Sequence, residues 1–182
     1  MDWPERIVIV DLEATCWDKA EHKPLEMETI EIGAVLVNNS YLEATEELDL
    51  FIRPVRHPKL SDFCKELTSI SQEQVDAARP FPETWQQFLN WLGDNSSLWL
   101  ASWGSFDPMQ LKQDCTYHGL AYPLEERHLD LKKMFGAHFG DRKFGMKRAL
   151  RKIELELEGK HHRGIDDARN IYRLYRWLRS KS

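Results

Sequence analysis

The chain has 182 residues, 42% of them hydrophobic and 30% charged, with seven Trp and eight Phe. That suffices for one well-filled core, predicts a single domain over residues 1–182, and excludes a disordered polypeptide. The three cysteines, Cys16, Cys64 and Cys115, are widely spaced and form no CxxC, so free thiols in a reducing cytoplasm are expected. No apolar run approaches the ~18 residues that would span a membrane. The net charge of −5 hides an asymmetry. Residues 1–131 carry 10 Lys+Arg against 24 Asp+Glu, whereas residues 132–182 carry 15 against 6. A basic last third beside an acidic remainder suits a phosphate-bearing substrate, although the same cations also solvate helix surfaces.

Residues 6–17 read RIVIVDLEATCW. The β-branched run over 7–10 predicts a strand, residues 6–13, buried on both faces. Asp11 and Glu13 follow two residues apart and therefore project from one face. Two like charges in that position repel and are poorly solvated, which predicts a divalent cation between them. A polar loop occupies 14–24. ETIEIGAVLV (28–37) alternates as a second strand, Asn38-Asn39-Ser40 is a turn, and EELDLFIR (46–53) is a third strand ended by Pro54. Three strands so closely joined predict an antiparallel meander. Ser71 and Gln74 have capping-box spacing. Pro82 opens a helix with apolar residues Trp85, Phe88, Leu89 and Leu92, stopping at Gly93. LWLASW (98–103) is a fourth strand, followed by a helix to about residue 117 with Asp107 near its N-cap. A short fifth strand over 128–131 and helices over 132–139 and 145–153 come next. Residues 154–158 read equally as helix or strand, and the last helix spans about 165–179. The order predicts an α/β fold, a central mixed five-stranded sheet flanked by helices.

Further ligands are sought among the remaining acids. Asp107 lies at a strand-to-helix junction, where sites in α/β sheets form, with a helix cap as the alternative reading. HHRGIDDAR is the other signal. His161 precedes Asp166 by five residues and His162 precedes Asp167 by five, so spacing does not separate the registers. Helix periodicity does: Asp166 shares the polar face with Arg169, Asn170 and Arg173, whereas Asp167 lies beside the packed face of Ile171, Leu174 and Leu178. An inward carboxylate needs a partner. Asp167, with His162 in its register, is therefore the candidate, and Asp166 is a first-turn partner of the helix dipole.

Asp-x-Glu on a strand, Asp after a later strand and His-x4-Asp opening the last helix resemble the DEDDh family of 3′–5′ exonucleases. DLEATCW, ETIEIGAV, RP with LSDFCKELTSI, the WGSFD segment and HHRGIDDARNI are similar to its Eri-type exoribonucleases, a likeness running from residue 8 to 171. Many family members have Asn and His near the third motif, where this chain has Ala101-Ser102-Trp103-Gly104; a Trp-Gly there is usual for the Eri type. The resemblance implies an RNase H-like fold and two divalent cations, Mg²⁺ or Mn²⁺, held by Asp11, Glu13, Asp107 and Asp167. It implies Glu13 near the nucleophile and His162 as general base. The implied partner is a single-stranded RNA 3′ end, with structured RNA or single-stranded DNA as alternatives, and no protein partner is indicated. The backbone around Ala14 and Thr15 would meet the terminal nucleotide. Trp103 and Phe106 are candidate base or wall contacts, against core packing, which weighs more for Phe106. Arg142, Lys143, Lys147 and Arg148 are candidate phosphate contacts. With a strand beginning by residue 6, the N-terminal nucleic-acid-binding module of larger Eri-type proteins is not expected. The rival readings are a single-stranded DNA exonuclease, a nucleotide or short-oligomer hydrolase, and a non-catalytic nucleic-acid-binding module, the last disfavoured because all four acids and the His are present.

Overall fold

The computed structural model describes residues 3–18, 27–94, 96–140 and 144–181. Residues 19–24 of the expected polar loop, and the candidate phosphate contacts Arg142 and Lys143, lie outside them. The six strands are β1 (Arg6–Ala14), β2 (Thr29–Asn38), β3 (Glu43–Arg53), β4 (Arg79–Pro80), β5 (Leu98–Ser102) and β6 (His128–Asp130), in the sheet order β4-β3-β2-β1-β5-β6. The meander β1-β2-β3 is antiparallel, while β5 and β6 join β1's other side in parallel. The expected five strands are present. The sixth is the two-residue β4, which pairs only Arg79 and Pro80 with Ile52 and Arg53. Such an edge strand has no length over which a period could appear, and its proline sits where a ladder donor is dispensable.

The central strand divides the core. Val8, Val10 and Leu12 face α3 (Phe81–Leu92) and α4 (Phe106–Tyr117), meeting Trp85, Phe88, Leu111 and Cys115. Ile7 and Ile9 face the opposite layer, formed by α5 (Leu131–Phe139), α6 (Met146–Lys152) and α7 (Gly164–Arg179), meeting Phe135, Leu150, Ala168 and Ile171. All four residues from Ile7 to Val10 are fully buried, at roughly 1.5–3 kcal/mol each. Asp11 and Glu13 continue the Ile7, Ile9 row, so the period of two points them toward α7. The two short helices α1 (Asp62–Thr68) and α2 (Gln72–Ala77) cover Ile30 with Cys64, Ile70 and Val75. Ser71 and Gln74 form the reciprocal capping box at the start of α2. Residues 154–158 form neither helix nor strand. No helix among the described residues is long and apolar enough to cross a membrane.

Candidate active site

The site lies where the far end of β1 meets the first turn of α7. Carboxylate oxygens of Asp11, Glu13 and Asp167 lie within 4.8 Å of one another. Glu13 and Asp167 are buried, and Asp11 partly so. Among the described residues no hydrogen-bond donor reaches the carboxylate of Asp11 or Glu13. Burial, then the neighbouring Asp107, Asp167, Glu13 and Glu31, hold the Asp11 carboxyl well above the usual range. Burial and then Glu31 push Glu13 up to about 8. Burial also raises Asp167, although His161 and His162 act against it. Such a set favours either protons or a cation. An all-oxygen donor set, two of whose carboxylates accept no hydrogen bond among the described residues, fits a hard divalent ion.

Asp107 is not the cap that its position suggested. It lies within the first turn of α4, buried, with Oδ1 accepting the Leu12 N–H at 3.0 Å. Burial raises it to about 6, against the pull of that bond. After burial, its charge is the largest influence on Asp11, and it bonds the strand residue next to Asp11, so it adjoins the three-carboxylate cluster.

A buried anchor seats α7 at this spot. Glu31 stands opposite Glu13 in the β1–β2 ladder and is wholly buried. Its carboxylate accepts from Arg163 Nε at 3.2 Å, Arg163 Nη2 at 3.1 Å and the Gly164 N–H at 3.0 Å. Gly33 lets the helix start press onto the strand: a Cβ there would lie 1.9 Å from the Gly164 carbonyl carbon. Sequence reasoning missed this anchor because its partners are 132 residues apart.

The histidines divide the contacts to Asp167. His162 bonds it through the backbone, N–H to Oδ2 at 2.9 Å, from the left-handed region at φ 62°. His161 bonds it through the ring, with Nδ1 2.9 Å from Oδ2. Burial, with His161 and Lys147 adding to it, lowers the His162 imidazole below its ordinary value, so its ring is neutral at pH 7. Asp166 turns to the Lys160 N–H and Arg169, as its polar-face position predicts.

The walls are mixed. Thr15 is buried, and both its N–H and its hydroxyl are bound to the Glu28 backbone at 2.9 Å. The Ala14 carbonyl faces the Cys64 thiol at 3.7 Å, and Ser61 donates to the Cys16 carbonyl at 2.6 Å. These bonds hold α1 against the strand end. Trp103 packs on Phe135 and donates Nε1 to the Phe144 carbonyl. Phe106 is not core: it is 42% exposed, because α4's buried face is set by Asp107, Leu111 and Cys115. Phe63 and Leu67, on successive turns of α1, are exposed too. Their spacing reads as a core stripe, so sequence alone passed over them.

Residues 8–175 match the RNase_T exonuclease family model. The chain belongs to the DEDDh exonuclease family. It is 34% identical to human 3′-5′ exoribonuclease 1 over 92% of its length and 30% identical to Xenopus laevis ERI1 exoribonuclease 2 over 93%. It spans 50% and 28% of those two proteins. The crystal structure of the nuclease domain of 3′hExo, described as a DEDDh family member bound to rAMP, superimposes with a TM-score of 0.91 at 29% identity, covering 99% of this chain and 94% of that one. The fold is therefore that of RNase H-like exonuclease domains. Exonucleases of this family use divalent metal ions, and the carboxylates of Asp11, Glu13 and Asp167 make an acidic cluster of that kind.

Proposed function

We propose that this chain is a metal-dependent 3′–5′ exoribonuclease that removes nucleotides from RNA 3′ ends. The observation that carries the reading is the meeting of three carboxylates, from β1 and α7, beside the His162 imidazole. Kinship with exoribonucleases supports RNA as the substrate. Asp11, Glu13, Asp107 and Asp167 are the residues to hold two divalent ions, Mg²⁺ or Mn²⁺, which when bound supply charge neutralisation and an acidified water.

The chain's own groups do the rest. His162 takes the proton of the attacking water, a role that needs a free ring lone pair near neutral pH. As the water oxygen bonds phosphorus, the bond to the 3′ oxygen of the preceding nucleotide breaks and a 5′-mononucleotide leaves. Glu13 is the carboxylate assigned a place near the nucleophile. Phe106, Phe63 and Leu67 offer exposed apolar surface on which the terminal base can stack, and Trp103 backs the wall. The backbone around Ala14 and Thr15, at the end of β1, is the candidate to meet the terminal nucleotide, with the Thr15 N–H and hydroxyl oxygen fixed by Glu28. Lys147, whose charge is felt at His162, and Arg148 lie on exposed positions of α6 and suit backbone phosphates. The free cysteines fit a reducing compartment, the cytoplasm.

The test is a time course on 5′-labelled RNA and DNA oligomers with free 3′-OH ends, in Mn²⁺, Mg²⁺ or EDTA. A ladder shortening from the 3′ end, faster on RNA and lost in EDTA, is expected. Equal or faster loss of DNA would make the chain a DNA exonuclease, and no shortening of either would reject the reading.

A further inference from the structure

His161 remains without a task once His162 is the base, and its surroundings supply one. Nitrogen of His161, nitrogen of His162 and a carboxylate oxygen of Asp167 lie within 4.8 Å of one another. The two rings stack at 4.0 Å between centroids, 30° from parallel. Both histidines are partly exposed while Asp167 is buried, so solvent reaches the nitrogens and the fold fixes the oxygen.

This donor set differs in kind from the acid cluster that shares Asp167. Oxygen-only ligands suit Mg²⁺ and Mn²⁺. Two imidazoles and one carboxylate suit a borderline ion such as Zn²⁺, which commonly takes three protein ligands and one water. Nitrogen sites also bind Zn²⁺ more tightly than Mn²⁺ by the usual divalent order. The ion would replace the existing contact between His161 Nδ1 and Asp167 Oδ2.

We propose that His161, His162 and Asp167 form a transition-metal site of the zinc class, and that filling it shuts off the nuclease. The shut-off rests on the function proposed above: Zn²⁺ there would occupy a carboxylate assigned to the catalytic ions and the lone pair of the base at once. Metal-site occupancy and turnover would then exclude one another.

The test uses the full chain with Co²⁺ as a coloured stand-in for Zn²⁺, in wild type, His161→Ala and His161→Gln, after circular dichroism has shown both variants folded. One equivalent of Co²⁺ should give the strong visible bands of a four-coordinate, nitrogen-bearing site in wild type, bleached by Zn²⁺. Both variants should lose those bands. With Mn²⁺ present, Zn²⁺ should inhibit RNA shortening, and the half-inhibiting concentration should rise at least tenfold in each variant. Variants that keep the bands, or that are inhibited at the wild-type concentration, overturn the proposal. Wild type that shows the bands but shortens no oligomer in Mn²⁺ alone supports the metal site and rejects the exonuclease reading, so the two failures are distinct.

Discussion

Glu28 and Asp114, 4% and 2% exposed, are as deeply buried as Glu13 and Asp167 at 7% and 3%. The two acid pairs sit near one another, around the same end of the β1–β2 ladder, yet their surroundings are opposite. Glu28 Oε1 accepts the N–H groups of Val55 and Arg56 at 2.8 and 3.0 Å, and Oε2 accepts that of His57 at 2.7 Å. Asp114 Oδ2 accepts Thr29 N–H, Thr29 Oγ1 and Gln110 Nε2, and Oδ1 accepts Arg56 Nη2 at 3.2 Å. Every oxygen of that pair has a donor. Close by, Asp11 and Glu13 have none among the described residues, and the carboxylates of Asp107, Asp167 and Glu31 act on them instead. Burial alone therefore does not mark a functional acid. What sets Asp11 and Glu13 apart is burial without donors, because the fold then holds charge that a ligand can compensate.

The comparison is broken most directly at Asp11. Asp11→Ala should lower RNA turnover at least about a thousandfold, ~4 kcal/mol of barrier. Its melting temperature in EDTA should not fall, since a repelling charge has gone. A large drop in melting temperature would show that Asp11 belongs with the structural acids.

His162→Ala tests the neighbouring imidazole. Turnover should fall by roughly 10²–10⁴, while calorimetric Mn²⁺ affinity stays within about threefold. Loss of Mn²⁺ binding in step with activity would make His162 a ligand rather than a base.

Asp114→Ala should give the reverse of Asp11→Ala. Removing the buried acceptor of Thr29, Gln110 and Arg56 should cost about 3 kcal/mol, a fall of roughly 6–12 °C in melting temperature for a domain of this size. RNA turnover measured well below that temperature should stay near wild type.

A further effect is one of pH. Glu13 binds its proton more tightly folded than unfolded, from an ordinary 4.5 to about 8. The folded state then holds more protons, so stability in EDTA should decline as pH rises from about 4.5 to about 8. Saturating Mn²⁺ should flatten that decline, because the ion replaces the proton. An identical slope with and without Mn²⁺, read by thermal melts, would place the ion elsewhere.

Much of the site was legible in local pattern. A period of two put Asp11 and Glu13 on one face of a strand. A period of 3.6 chose Asp167 over Asp166, and the structure turns Asp166 out to Arg169 as that reading required. Asp107 was found at its junction, but its partner was not: the Leu12 N–H it accepts is 95 residues away.

The sequence by itself determined the five longer strands and the helices from residue 81 onward, the central position implied by the apolar first strand, and the identity of the acids that converge. Those follow from short-range periodicity and from the cost of burying charge. Only the tertiary structure decided which histidine ring touches Asp167, that Phe106 is exposed while Trp103 is packed, and that Glu31 pins Arg163 and Gly164 to the sheet. Each of these is set by what another element places opposite a side chain, and that information is not carried by the spacing of residues along the chain.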